Sequence, residues 1–142
     1  MLLALILLPL AAAAVVWSVP SARLRYALLP VTAILHLALV LAAFALKGLH
    51  PAAGDLLGFD ALGAWIQLVI SVLGVILAWY APAFLSLPPE RNHRLFSTCF
   101  LAFLGLAPIV TLGRHPGLVW VGIEATTLIA APLVYFSRNQ RS

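Results

Sequence analysis

Residues Arg114 to Arg141 read RHPGLVWVGIEATTLIAAPLVYFSRNQR. Between Pro116 and Phe136 this run holds one charged side chain, Glu124, and its length matches the ~20 residues that a helix needs to cross a hydrocarbon core of ~30 Å. With Pro116 opening the helix at the membrane surface, Glu124 lies about 8 residues further on, ~12 Å deep at ~1.5 Å per residue. A carboxylate at that depth is either protonated or held by a cation or water. Ordinary helix packing requires no such group, so Glu124 is the first candidate for function.

Four more apolar segments precede this one. They run from about Leu2 to Val19, Tyr26 to Leu46, Phe59 to Tyr80 and Leu95 to Leu112, each near the length of a membrane-spanning helix. None shows the period-2 alternation of a barrel strand, so helices are the expected spanning form. The chain of 142 residues is 64% hydrophobic and 8% charged, which is too apolar for a domain with a polar, water-facing surface. The prediction is an all-α integral membrane protein, one unit of about five transmembrane helices in the lipid bilayer of the cell membrane. The opening MLLALILLPLAAAAVVWS ends in small residues as a secretory signal does. It lacks the basic leading region of such a signal and runs to Val19 without a polar break, so a retained first span is expected.

The connections read as turns and interfacial loops. PSARLR (Pro20 to Arg25) is short enough to force an antiparallel neighbour, and KGLHPAAGDLLG (Lys47 to Gly58) is expected at the membrane interface. APAFLSLPPERNHR (Ala81 to Arg94) carries three prolines and is expected to interrupt the helix, and GRHPG forms the last turn. Alternate connections place Arg23, Arg25, Arg91, Arg94, Arg138 and Arg141 on one side and Lys47 and Arg114 on the other. An excess of basic residues marks the cytoplasmic side, which predicts an outside N-terminus and a cytoplasmic C-terminus. Trp17, Tyr26, Trp79, Tyr80 and Tyr135 fall near predicted span ends, where amphipathic rings prefer to sit, while Trp65 and Trp120 lie about a turn deeper. The net charge of +4 comes from dispersed residues and reports topology, with no basic patch for nucleic acid.

Several polar groups within the spans are candidates for chemistry. Thr126 and Thr127 follow Glu124, and Pro132 removes the amide that would bond the Leu128 carbonyl, so a kink or a bound water below the carboxylate is expected. Gly122, Thr126 and Ala130 form a small-residue stripe for close helix approach. His36 sits near the middle of the second span. It reads either as a proton relay, since imidazole titrates near neutrality, or as a neutral packing group with one hydrogen bond. Asp60 stands at the start of the third span, either as an acid favoured by the helix dipole or as a point of proton entry. Gly105 and Pro108 loosen the fourth span, Arg114 and His115 mark an interface, and Cys99 fills apolar space. The single cysteine supports neither a disulfide nor an iron–sulfur or zinc cluster. No nucleophile–base pair, phosphate loop or metal-ligand spacing is legible, so no catalytic site, cofactor or metal is predicted.

From Trp120 to Ser142, WVGIEATTLIAAPLVYFSRNQRS, the chain resembles the antiporter-like proton-conducting membrane subunits of complex I and its hydrogenase relatives, in particular the F subunit of hydrogenase-4 and formate hydrogenlyase-type complexes. MLLALILLPLAAA at the start, AILHLAL around His36 and GFDALG before the third span look like the same family in order. The resemblance implies that Glu124 pairs with a lysine on a later helix and that the two pass charge along buried lysines, histidines and waters. It implies, as partners, other membrane and peripheral subunits of the assembly. Members of that family have about fourteen spans with two inverted repeats, the first starting at the span matched by Leu95 to Leu112. The only lysine here is Lys47, in a loop, so an N-terminal portion of such a subunit is expected. Two other readings stay open: a small independent proton-coupled transporter, and a non-catalytic membrane scaffold.

Overall fold

The computed structural model describes residues 2–46, 56–58, 60–85 and 93–138. They form five helices: α1 (Leu2–Ser18), α2 (Ala22–Ala45), α3 (Ala61–Leu85), α4 (His93–Leu112) and α5 (Pro116–Arg138). Helices α2 to α5 are each long and apolar enough to cross a membrane. The 17 residues of α1 give ~25 Å, the lower end of what spans a bilayer. This is an all-α, multi-pass membrane protein.

The way the side chains are sorted gives the same answer as the helix lengths. Along α3 the buried positions are Gly63, Ala64, Gln67, Ser71, Gly74, Ala78 and Ala81, from Ala64 on in alternating steps of three and four that keep one stripe facing inward. That stripe is small or polar. The large apolar side chains of the same helix, Trp65, Val69, Leu73, Leu77 and Trp79, are exposed. A helix that turns its bulk outward and its small residues inward is stable where the surroundings are lipid and close packing holds helices together. In water this distribution would leave the driving force for burial unused.

Helices α1 to α4 close a ring in which each packs on its sequence neighbour and α4 returns to α1, while α5 packs along α4 outside the ring. Two apolar clusters set the directions. One joins Leu2 and Leu5 to Val40, Leu57 and Leu112, so it gathers the start of α1 with the ends of α2 and α4. The other joins Ala13 and Val16 to Leu29, Ala78, Ala81, Phe100 and Leu101. Successive helices therefore run antiparallel. The helix ends bearing Arg23, Arg25, Arg94 and Arg138 lie at one end of the bundle, and Arg114 lies at the other.

Close approach is built at glycines. A Cβ on Gly105 would lie 2.9 Å from Leu10 Cγ and 3.1 Å from the Ile6 carbonyl, so α1 and α4 touch almost backbone to backbone. At Gly63 a Cβ would strike the carbonyl oxygen of Thr111, which brings the start of α3 against the end of α4. The same corner is tied by backbone bonds from Gly58 N to Leu112 O (2.8 Å) and from Arg114 N to Leu56 O (2.9 Å), with the Arg114 side chain lying over Gly58.

Some helix ends differ from the sequence reading. Helix α2 starts at Ala22, with Ser21 in the N-cap position, so Arg23 and Arg25 belong to its first turn and Arg25 is buried. Helix α3 continues through Pro82 to Leu85. Proline removes one amide and fixes a helical φ, and a single lost bond in a last turn does not end a helix. Pro9, Pro30, Pro108 and Pro132 likewise lie inside helices. The expected interfacial loop from Lys47 falls mostly outside the described residues, as do Arg91 and Arg141.

Candidate functional site

One set of interior polar groups converges on His36. Its imidazole is fully buried, and Gln67 and Ser71 from α3 are buried beside it. Ser71 Oγ lies 3.0 Å from His36 Nδ1 and donates to the Gln67 backbone carbonyl at 2.8 Å. Gln67 Nε2 lies 3.5 Å from His36 Nε2. From α4, Thr111 Oγ1 donates to Gln67 Oε1 at 2.7 Å and has the Ala107 carbonyl at 3.1 Å. A backbone acceptor at Leu5 of α1 also faces the ring. All four helices of the ring thus meet in one polar cluster, between the two apolar clusters.

Burial explains why these groups pair. A buried amide, hydroxyl or imidazole left without partners costs ~1–3 kcal/mol, and lipid supplies none. The cluster also leads somewhere. Gln67 stands about two turns into α3, and Thr111, only half-buried, is one residue from the end of α4. Beside it, exposed Asp60 accepts a hydrogen bond from the Gly63 amide at 3.2 Å, capping α3 where its macrodipole is positive.

A second polar pair lies at the arginine-bearing end. Tyr26 Oη is 2.7 Å from His93 Nδ1, linking the first turns of α2 and α4. Tyr26 therefore faces the bundle and not the membrane interface, whereas Trp17, Trp79, Tyr80 and Tyr135 are exposed near helix ends. Cys99 is half-buried and free.

Glu124 is placed quite differently from His36. It is exposed about a third of the way along α5, between Ile123 and Leu128, which are also exposed. Among the described residues it makes no hydrogen bond or ion pair. Thr126 and Thr127 turn their hydroxyls back to the Ile123 carbonyl at 2.9 and 2.8 Å, so they satisfy themselves and do not reach the carboxylate. Gly122 faces inward, where a Cβ would lie 2.9 Å from Ile109 Cγ2. Thr126 and Ala130, its partners in the small-residue stripe, are half-buried on the same side, and Pro132 is half-buried in a helix that continues past it. The structure thus brings His36 together with α3 and α4 and leaves Glu124 on the outer helix, with no hydrogen bond between the two.

Gln67, Ser71 and Thr111 escaped the reading of the sequence. The available signal was the spacing of Gln67 and Ser71, four apart on one face of an apolar span. Thr111 had none, because its partner is 44 positions away. If these bonds hold the cluster, Gln67→Leu and Thr111→Val should be non-additive. A double-mutant cycle on unfolding in mixed micelles should return a coupling of about 1 kcal/mol, and a coupling of zero would refute the bond.

No family model matches the chain, and no curated protein or solved structure matches it.

Proposed function

We propose that the chain is a membrane subunit, or the N-terminal part of one, of a hydrogenase-4 or NADH-dehydrogenase-like complex in the cell's inner membrane, with Glu124 and His36 as proton-transfer groups. Electron transfer takes place in peripheral partner subunits, and this chain serves the coupled proton translocation. The arginine-bearing end faces the cytoplasm.

The observation that bears on this reading is the exposed placement of Glu124 on α5, which fits a proton-transfer role only where a partner helix supplies the polar path that the five helices do not. A carboxylate on a lipid-facing helix surface is costly in contact with acyl chains, and α5 packs along α4 and leaves its other face open. A partner helix bearing a cation at that depth would cover the face and hold the charge, as the resemblance around WVGIEATTL implies. The buried cluster at His36 adds a second group able to exchange a proton inside the membrane.

The test is purification of the tagged protein from its native membrane in mild detergent. Peripheral subunits that oxidise hydrogen or NADH should co-purify with it. Isolation without any redox-active partner would count against the proposal, and a self-associated form that exchanges protons for a substrate in liposomes would favour the small transporter.

A further inference from the structure

The hydrogen bonds around His36 have a direction. A serine hydroxyl has one proton, and that of Ser71 goes to the Gln67 carbonyl at 2.8 Å. Its lone pair therefore accepts from His36 Nδ1–H at 3.0 Å, which leaves Nε2 of the neutral ring as an acceptor facing the Gln67 amide nitrogen. That amide is oriented by Thr111, whose hydroxyl donates to Oε1 at 2.7 Å. In the neutral state every donor points one way: Thr111 to Gln67, Gln67 to His36, His36 to Ser71, Ser71 to a backbone carbonyl. Chains of this kind are mutually polarised, and reversing one link bears on the next.

A proton added from water to His36 Nε2 breaks this order at one place. The new N–H would face the N–H groups of Gln67, two donors head to head, with the Leu5 backbone as the other acceptor at the ring. Rotation of the Gln67 carboxamide restores the bond, with Oε1 accepting from His36 and Nε2 donating to Thr111 Oγ1. The Thr111 hydroxyl must then give its proton elsewhere, and the Ala107 carbonyl is already within reach at 3.1 Å. The Ser71 link is unchanged. No helix has to move, and no buried polar group is left unpaired.

We propose that Gln67 and Thr111 are positioning residues that read the protonation state of His36 and carry it, by amide rotation and hydroxyl reorientation, to the end of α4 beside Asp60. The inference rests on the reading of His36 as a proton-transfer group and needs neither Glu124 nor a particular partner complex. The surroundings leave the ring as the switch. Helix α1 contains no titratable residue, and α3 contains only Tyr80, which is exposed. Helix α4 has His93, Arg94 and Cys99 in its first two turns, and α2 itself has Arg23, Arg25 and Tyr26 in its first turns, all toward the opposite end of the bundle from Thr111. Helix α5 packs on α4 outside the ring and carries Glu124 and Tyr135, both exposed, and Arg138 at its far end, while exposed Arg114 and His115 lie in the turn between α4 and α5, on the Thr111 side.

The experiment uses the full chain in lipid bilayers, labelled with nitrogen-15 at histidine and at the glutamine carboxamide and with carbon-13 at threonine. It is followed by solid-state NMR over a pH range wide enough to take in a desolvated imidazole. The chain has only two glutamines, Gln67 and Gln140, so Gln140→Asn assigns the Gln67 signal. The expected result is one midpoint shared by the His36 ring, the Gln67 carboxamide and the Thr111 side chain. In Gln67→Leu, His36 should still titrate while the Thr111 response is lost. The Leu5 backbone is the competing acceptor for the new N–H. If it takes that bond, His36 titrates with Gln67 and Thr111 unchanged, and the inference is overturned while His36 stands as a proton site. If His36 takes up no proton at all, the proton-transfer reading of that residue fails as well. The wild-type titration, with His36 and Thr111 assigned among the four histidines and five threonines by sequential correlations in uniformly labelled protein, decides between these outcomes even if the variant does not fold.

Discussion

On the proposed function, proton translocation by the complex containing this chain is expected to fall by about a hundredfold or more when Glu124 is replaced by glutamine, the scale of losing a positioned proton-transfer group. Glutamine has nearly the same shape and keeps a carbonyl acceptor, but it binds no proton and carries no charge. Because Glu124 is exposed on α5, the substitution disturbs no packing within the five helices, and the rate is read per assembled complex. Glu124→Asp, which restores the acid on a shorter stem, should recover part of the rate. The readout is proton uptake into vesicles, driven by the electron donor and normalised to electron transfer. Full coupling in Glu124→Gln would refute the role. Assembly lost in Glu124→Ala, with turnover intact in whatever assembles, would point to the scaffold reading, in which the carboxylate merely holds a neighbouring helix.

The largest structural effect is expected at Gly63. A side chain there meets the Thr111 carbonyl and lies 2.7 Å from Asp60 Oδ1. The first obstacle is backbone of a packed helix, so relief requires α3 to move away from α4. That movement would draw Gln67 from Thr111 and open the polar cluster. Gly63→Val should destabilise the protein by ~3 kcal/mol, the upper part of the usual range for overpacking, measured as a lowered midpoint of unfolding in mixed micelles. Gly74 supplies the control. A Cβ there comes to 3.1 Å from Leu104 Cδ1, the far end of a flexible side chain, so Gly74→Ala should cost clearly less than Gly63→Ala. Equal losses at the two sites would show that the backbone contact at Gly63 is not what limits it.

The helices were legible because what defines them is local. An apolar run near 20 residues in lipid has to satisfy its own amides, and this holds for residues 26–46 or 116–136 whatever lies beside them. The errors of boundary arose where a local rule was too strong. Arg23 and Arg25 read as loop because they are charged, yet they sit in a first turn behind Ser21. Pro82 read as a stop, yet it falls where one missing amide is tolerated.

The candidate site was legible only as a list. His36, Asp60 and Glu124 stood out because charge or imidazole in an apolar run is unusual on any reading. Gln67, Ser71 and Thr111 did not, since an uncharged polar residue in a span has many harmless explanations. Facing direction was legible in part: the small-residue stripe of Gly122, Thr126 and Ala130 marks the face that turns toward α4, and Glu124 is not on it.

By itself, then, the chain determined that it crosses a bilayer as helices and that a few polar side chains lie at depth, because the energy of placing each residue in lipid depends on that residue and its near neighbours. Only the tertiary structure decided that His36 is enclosed by Gln67, Ser71 and Thr111 and that Glu124 is left outside. Those relations depend on how α2, α3 and α4 are rotated against one another. That rotation is set by contacts between positions far apart in the chain, such as Gly63 against Thr111 and Gly105 against Leu10.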